Sequence, residues 1–148
     1  MIKFKKLFSF GFTLFLLTST TFGQSKPDKQ IIDSIIATNE KASFVQKQYV
    51  GDSLKATYFV NSKTKSVMKI EVETIDKSRN KWVYWYYLDN NQRPMIVSAD
   101  KIDGKVFRHA TYYFKNDKLV YKKETNAKIE TPEKQSESIK YLLDRIPN

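Results

Sequence analysis

His109 is the only histidine in the chain, and histidine is the side chain best suited to proton transfer near neutral pH. A general base also needs a partner that orients it. Arg108 precedes it in the sequence, and Tyr113 falls on the same side of the predicted strand because alternate residues share a face. The sequence puts no carboxylate next to His109. We therefore predict no catalytic residue, and we keep a hydrolase-type enzyme using His109 as an alternative function.

The other residue types that carry chemistry lack the spacing it needs. The chain has no cysteine and one histidine, so a zinc site would have to be built largely from carboxylates. Asp100 and Asp103 bracket a predicted hairpin and are interpreted as turn residues. The four glycines form no phosphate-binding loop. We predict neither a metal site nor a cofactor.

Aromatic side chains offer the better-supported chemistry, which is binding. The stretch WVYWYYL, residues 82–88, is apolar or aromatic throughout. A strand with one solvent-exposed face would instead alternate apolar and polar residues. Tyrosine and tryptophan combine an apolar ring with a polar tip, which suits sugar rings, exposed peptide and lipid boundaries. The predicted binding surface consists of Trp85, Tyr87, Phe107, His109 and Tyr113.

Period-two patterns predict the strands that carry these side chains. Three segments can be aligned as hairpins, namely ATYFVNSKTKSVMKIEVE, VYWYYLDNNQRPMIVSAD and ATYYFKNDKLVYKKET. Each contains an aromatic-rich strand, an Asn-containing turn and a return strand with an apolar pair, with a spacing of about 27 residues. Three hairpins in series predict an up-and-down antiparallel meander. Residues 44–50 are compatible either with an extension of the preceding helix or with a first strand.

The alignment also assigns side chains to two faces of the sheet. In the first return strand Met68, Ile70 and Val72 alternate with charged residues, so they are expected to face the core. The same face is predicted to hold Ala56, Tyr58, Val60, Tyr84, Tyr86, Leu88, Ala110, Tyr112 and Phe114. The predicted binding residues fall on the opposite face. Either the C-terminal helix covers that face, or the sheet lies between the two helices, or it curls enough to bury both faces, or the face stays open to a ligand.

Two segments with helical periodicity flank the meander. The first is predicted from about Lys26 to Asn39, or as far as Ala42, with Ser25 and Asp28 as a capping box. The second begins at Pro132 after Thr131 as N-cap. Their apolar stripes are Ile31, Ile32, Ile35 and Ile36, and Ile139, Leu142, Leu143 and Ile146. The predicted fold class is α+β, with an N-terminal helix, a six- to seven-stranded antiparallel meander sheet and a C-terminal helix.

Residues 1–23 have the layout of a secretory signal peptide. Three lysines precede an apolar run over residues 7–17, and small and polar residues lead to a predicted cleavage near Gly23 and Gln24. The run is too short to span a membrane comfortably, and no later stretch is long and apolar enough. Because the chain has no cysteine, a lipid-modified N-terminal cysteine and disulfides are both excluded. We expect one domain, residues 24–148, in the periplasm or outside the cell.

The charge balance narrows the choice of partners. The 148 residues include 26 Lys and Arg against 16 Asp and Glu, a net charge of +10 that falls to +7 without the three lysines of the signal segment. This balance favours acidic partners, or serves solubility alone because the lysines are scattered. The predicted function is a non-catalytic periplasmic or secreted binding module for an envelope protein, a polysaccharide or an amphiphile. Export disfavours nucleic acid, and a carrier of an apolar ligand in a curved sheet is a further alternative.

The signal segment ending in Phe22, Gly23 and Gln24, the abundance of Lys, Asn and Tyr, and the order of a helix followed by hairpins resemble small exported proteins of Bacteroidetes-type bacteria. The hairpins are also similar to MORN-like β-hairpin repeats, without the regular glycines of that family. The resemblance implies an exported protein built of hairpins and assigns neither an activity nor a site residue.

Overall fold

The computed structural model describes residues 26–103, 106–126 and 132–148. The predicted signal peptide and the predicted caps Ser25 and Thr131 lie outside the described residues. The elements in chain order are α1 (Lys26–Asn39), β1 (Phe44–Val50), β2 (Leu54–Asn61), β3 (Val67–Ile75), β4 (Lys81–Leu88), β5 (Pro94–Asp103), β6 (Val106–Lys115), β7 (Lys118–Thr125) and α2 (Pro132–Leu143). This order confirms the predicted α+β class.

The seven strands form one open antiparallel sheet in which each strand pairs with its neighbours in sequence, from β1 to β7. Residues 44–50, which the sequence left undecided, are the edge strand β1 and pair with β2. Outside residues 104 and 105, which the structure does not describe, turns join the strands where the sequence predicts them. Asn116 and Asp117, between β6 and β7, have φ values of 50° and 61°, as a two-residue turn with the twist of a hairpin requires.

One face of the sheet, here called the core face, carries the larger apolar cluster. Its buried side chains include Tyr58, Ile70, Val72, Tyr86 and Phe114, as the alignment of the hairpins predicts. The C-terminal helix α2 packs on this face through Ile139 and Leu142. The buried Tyr58 hydroxyl donates a hydrogen bond of 2.8 Å to the carbonyl oxygen of Leu142 and so ties the end of α2 to the sheet.

The opposite face, here called the aromatic face, is partly covered by α1. Ile32 and Ile36 are buried there against Met95, Ile96 and Tyr113. The sheet therefore lies between the two helices. This is one of the arrangements that the sequence allows. The alternative in which the C-terminal helix covers the aromatic face is wrong, because the apolar stripe of α2 packs on the core face and the N-terminal helix covers the other face.

A β-bulge recurs near the turn of three successive hairpins. The register shifts between Phe59 and Val60, between Tyr87 and Leu88, and between Tyr113 and Phe114. A bulge inserts one extra residue in one strand and changes the side to which the following side chains point. The extra residues on the return strands are Met68, Met95 and Val120.

The bulges correct one assignment made from the sequence. Met68 was expected on the core face, but Val67 pairs with Val60 there and is buried. Met68 is left unpaired in the ladder and lines a groove on the aromatic face. Met95 and Val120 likewise belong to the apolar cluster beneath α1. Each bulge thus directs its extra residue to the aromatic face, which strict alternation does not predict.

Candidate functional site

The register of β4, β5 and β6 determines where the predicted binding residues lie. Trp85 pairs with Ser98, which pairs with Thr111, and the next row contains Asp100 and His109. Directly paired residues share a face of the sheet, so Trp85 and His109 belong to the same face.

Burial divides the predicted residues into two groups. Tyr113 is 9 % exposed and lies beneath α1, where its ring meets Tyr121 edge to face. Tyr87 is half-buried at the edge of that cluster. Trp85 and His109 are half-buried beyond the helix. The side chain of Phe107 lies outside the described residues. Trp85, Tyr87 and His109 are therefore the predicted residues that reach the surface.

Four polar side chains form a hydrogen-bonded row beside Trp85, here called the polar row. The Asp100 carboxylate lies 2.5 Å from Nδ1 of His109, and Nε2 of His109 lies 2.8 Å from the Thr111 hydroxyl. The Thr111 hydroxyl lies 3.0 Å from that of Ser98. Because a carboxylate accepts, Nδ1 of a neutral imidazole is the donor and Nε2 accepts the hydroxyl proton of Thr111. The row therefore orients the imidazole from both sides.

Sequence reasoning missed the polar row. Asp100 was interpreted as a turn residue, which is wrong, because β5 continues to Asp103 and Asp100 faces His109 across the ladder. The sequence did contain a signal for the polar row, namely the alternation of polar and apolar residues along β5. Ser98 and Asp100 are polar residues at alternate positions of the strand PMIVSADKID, and the residues that flank Ser98 are apolar.

A shallow depression of about 260 Å³ connects Trp85 with the polar row. Its lining consists of Ile36, Trp85, Tyr87, Ile96, Ser98 and Thr111. The helix side chain Ile36 forms one wall and the sheet forms the floor. The depression thus combines an indole ring, apolar walls and two hydroxyl groups.

An apolar groove of about 140 Å³ lies on the other side of Tyr87. Phe44, Phe59 and Met68 line it, and the Lys69 ammonium group lies 5.0 Å from the ring centre of Phe59 and 5.4 Å from that of Tyr87. Burial and the negative charges of Glu40 and Glu71 raise the pKa of the Tyr87 hydroxyl, so it stays protonated and acts as a neutral donor. Tyr87 therefore separates an apolar groove from the more polar depression.

The polar row includes the order carboxylate, imidazole and hydroxyl that hydrolases use for nucleophilic catalysis. Hydrolysis also requires donors directed at the developing oxyanion. The backbone around Ser98, Asp100, His109 and Thr111 lies within the paired ladder of β5 and β6, so its N–H groups are committed to the sheet. The arrangement is suited to orienting polar groups on a ligand more than to stabilising a transition state.

Two further searches covered the described residues. Within 26–103, 106–126 and 132–148, no three His, Cys, Asp or Glu side chains are grouped so that they could hold a metal ion. Neither α1 nor α2 is long and apolar enough to cross a membrane.

Comparison with known proteins does not assign the chain to a family. No protein-family model matches it, and no curated protein or solved structure matches it either. The geometry of the depression and the polar row is therefore the basis for any function assigned to the chain.

Proposed function

We propose that the protein is a non-catalytic, periplasmic or secreted binding module that holds a polysaccharide on the open part of the aromatic face. The observation that carries the proposal is the position of the half-buried Trp85 ring directly beside the hydrogen-bonded side chains of the polar row. Export is an inference from residues 1–23 alone.

The chemistry of a sugar ring matches these two components. A pyranose has an apolar face of C–H groups, which stacks on an aromatic ring, and a rim of hydroxyl groups, which needs donors and acceptors. Ser98 and Thr111 follow Trp85 on the next two strands. Two strand spacings amount to roughly 10 Å. A sugar ring over Trp85 can therefore direct its hydroxyls at Ser98, and the next sugar of the same chain can reach Thr111.

The shape of the site favours a polymer over a small buried molecule. The depression is open to solvent, and α1 bounds it on one side only. A segment of a long chain can lie along such a surface and continue beyond it. Lys123, which pairs with Thr111, adds a positive charge on one side of the site, whereas Glu71, which pairs with Trp85, adds a negative charge on the other. The preference for an acidic polysaccharide therefore rests on the net positive charge of the whole chain.

The two tryptophans permit a matched test, because Trp82 lies on the core face and Trp85 on the aromatic face. Trp82→Phe leaves Trp85 as the only tryptophan, and Trp85→Phe leaves Trp82. The probes are alginate, soluble glycan strands of peptidoglycan, and dextran as a neutral comparison. We expect alginate or the glycan strands to change the emission of wild type and of Trp82→Phe.

Calorimetry on the same variants measures affinity directly. Trp85→Ala should weaken binding about tenfold or more, because ring stacking of this kind is a central contact, whereas Trp82→Phe should bind as the wild type does. Equal affinity of Trp85→Ala and wild type would rule out the proposed surface. Silence with every probe would rule out the polysaccharide.

A second candidate function, a hydrolase using His109, is favoured by one observation: the contacts of 2.5 Å and 2.8 Å that link Asp100, His109 and Thr111. Thr111 would be the nucleophile, His109 the general base and Asp100 the orienting group. Hydrolysis of p-nitrophenyl acetate tests it. An enzyme should lose its activity in both His109→Gln and Thr111→Val while keeping its fold. If the wild type hydrolyses p-nitrophenyl acetate no faster than His109→Gln and Thr111→Val do, the hydrolase is ruled out and binding remains the function.

A carrier of an apolar ligand is less well supported. Ligand cavities commonly measure about 300–1,000 Å³, and the apolar groove beside α1 measures about 140 Å³. Extraction of the purified protein with organic solvent tests the carrier directly, since a carrier should release a stoichiometric lipid.

A further inference from the structure

The two edges of the sheet differ in how they are protected. An edge strand presents unpaired backbone N–H and C=O groups to which another strand can add, and charged side chains and bulges usually prevent this. β7 has a bulge at Val120 and the charged side chains of Lys118, Lys122, Lys123 and Glu124. β1, FVQKQYV, pairs with β2 without a register shift, and its only charged residue is Lys47. β1 is therefore the less protected edge.

The side chains of β1 also favour a partner strand. The Lys47 ammonium group donates a hydrogen bond of 2.8 Å to the carbonyl oxygen of Pro147, so the charge is held by the segment that follows α2. Phe44, Val45 and Val50 are apolar and 38 %, 48 % and 71 % exposed. A strand added to this edge would remove part of that apolar surface from water.

Backbone groups at alternate residues of β1 point away from the sheet. In the described part of the chain β1 pairs with β2 alone. At one end of this pairing the Gly51 N–H donates to the Leu54 carbonyl oxygen at 2.8 Å. At the other end the Ser62 N–H donates to the Ser43 carbonyl oxygen at 3.0 Å. Hydrogen-bonded and non-hydrogen-bonded pairs alternate in an antiparallel ladder, so the outward N–H and C=O groups belong to Phe44, Gln46, Gln48 and Val50.

The residue classes of β1 read the same in both directions. Two apolar residues and an amide precede Lys47, and an amide and two apolar residues follow it. A two-fold axis at Lys47 therefore pairs apolar with apolar and amide with amide between two copies. The pairs are Phe44 with Val50, Val45 with Tyr49, and Gln46 with Gln48. A two-fold interface requires such self-complementarity, because one patch serves both copies.

We propose that β1 pairs with β1 of a second copy of the chain, antiparallel about Lys47, so that two sheets join into one. In this register the outward residues of one copy meet the outward residues of the other, and each such pair exchanges two N–H···O bonds. The two Lys47 side chains meet at the axis and oppose association. The dimer is therefore weak and reversible. Trp85 lies on β4, away from this edge, and the proposal does not depend on polysaccharide binding.

Sedimentation equilibrium of the purified protein measures the association. We expect a monomer–dimer equilibrium with a dissociation constant below about 1 mM, in the range of weak complexes. A monomer at every concentration up to about 1 mM would overturn the proposal and leave the edge to a strand of another protein.

Amide hydrogen exchange, followed by NMR, locates the contact. Exchange at the outward amides of Gln46 and Gln48 should slow as the protein concentration rises, because they become hydrogen-bonded in the dimer. The Lys47 amide bonds β2 and should be protected at every concentration. A dimer in which exchange at Gln46 and Gln48 does not depend on concentration would overturn the proposal.

Paired charge variants test the register. Gln46 and Gln48 are exposed, so Gln46→Lys/Gln48→Lys and Gln46→Glu/Gln48→Glu should both keep the fold. Each double variant alone should lose the dimer, since like charges then stand opposite one another on the two strands. An equimolar mixture of the two should form a dimer again. A mixture that stays monomeric would overturn the antiparallel register about Lys47.

Leu119→Lys is the matched control on β7. Leu119 is 40 % exposed, so a charge is tolerated there. This variant should dimerise as the wild type does. Loss of the dimer in Leu119→Lys, with the dimer retained in both double variants, would place the contact at the other edge and overturn the proposal.

Discussion

At the scale of single residues, Asp76 organises the turn between β3 and β4. Its carboxylate accepts hydrogen bonds from the backbone N–H groups of Ser78 and Asn80, both at 2.9 Å, from the Asn80 side chain at 3.1 Å and from Trp82 Nε1 at 3.3 Å. Hydrogen bonds lower the pKa of Asp76 to about 2. The largest effect comes from the backbone N–H of Asn80 and the next from the side chain of the same residue. The charged carboxylate is thus the form that stabilises the turn.

Replacing this carboxylate should have an effect that depends on pH. The pKa of Asp76 is lower in the folded protein, about 2, than the unperturbed value of 3.8. Its stabilising contribution is therefore fully present above pH 3.8 and is lost as the pH falls through 2. The melting temperature of Asp76→Ala should lie below that of the wild type at neutral pH, and the gap should narrow as the pH approaches 2.

Asn61 supplies a neutral control for this prediction. Its side-chain oxygen accepts hydrogen bonds from the backbone of Lys63 at 2.8 Å and of Thr64 at 3.0 Å, in the turn between β2 and β3. The melting-temperature gap between Asn61→Ala and wild type should not vary with pH, because an amide does not titrate. A pH-independent gap for Asp76→Ala would contradict the role assigned to its charge.

Gln135 leads to a second prediction at this scale. Its buried Oε1 atom has no hydrogen-bond partner in the described ranges, and an unsatisfied buried polar group costs about 1–3 kcal/mol. Gln135→Met should therefore raise the free energy of unfolding by about 1–2 kcal/mol, measured by urea denaturation. A clear loss of stability would mean that the amide is hydrogen-bonded in the folded protein.

At the scale of elements, α1 decides how much of the aromatic face is covered. It crosses the end of the sheet nearest the turns that follow β4 and β6, where Ile32 and Ile36 meet the bulge residues Met95 and Val120. At its N-terminal end the Asp28 carboxylate forms a salt bridge of 2.6 Å with Lys115. Trp85 and the polar row lie beyond this contact.

Two adjacent isoleucines on α1 test this docking. Ile36 is 8 % exposed and packs on the sheet, whereas Ile35 is 42 % exposed. Ile36→Ala should lower the free energy of unfolding by about 2–4 kcal/mol through lost burial and a cavity. Ile35→Ala should change it by less than about 1 kcal/mol. Equal effects in urea denaturation would mean that α1 does not pack on the sheet through Ile36.

At the scale of the whole molecule, the sheet separates two apolar clusters. The larger one lies between the core face and α2, and the smaller one lies between the aromatic face and α1. Ile139 is buried in the first and Ile36 in the second. The two side chains share no cluster, so their contributions to stability should be independent.

A double-mutant cycle tests this independence. Ile36→Val and Ile139→Val should each cost about 0.5–1.5 kcal/mol, and the double variant should cost their sum to within about 0.5 kcal/mol. The quantity measured is the free energy of unfolding in urea. A coupling energy above about 1 kcal/mol would show that the sheet transmits packing changes from one helix to the other.

Local pattern in the sequence was sufficient for every element except β1, whose residues 44–50 it left undecided between helix and strand. Helical spacing of four isoleucines predicts a helix from about Lys26 to between Asn39 and Ala42, and α1 covers Lys26–Asn39. Alternation predicts that Tyr58 and Ile70 share the core face, as they do. These predictions succeed because side chains repeat every 3.6 residues in a helix and every 2 residues in a strand, and both periods follow from local backbone geometry. The antiparallel meander follows from short turns between consecutive strands.

The tertiary structure alone decided which of the predicted binding residues are exposed and which polar side chains lie beside them. The pairing of Asp100 with His109 depends on how far β5 extends, and the exposure of Trp85 depends on where α1 docks. The bulges that send Met68 to the aromatic face likewise arise from contacts between elements. Cross-strand register and helix docking depend on side chains far apart in the chain, which no local period encodes.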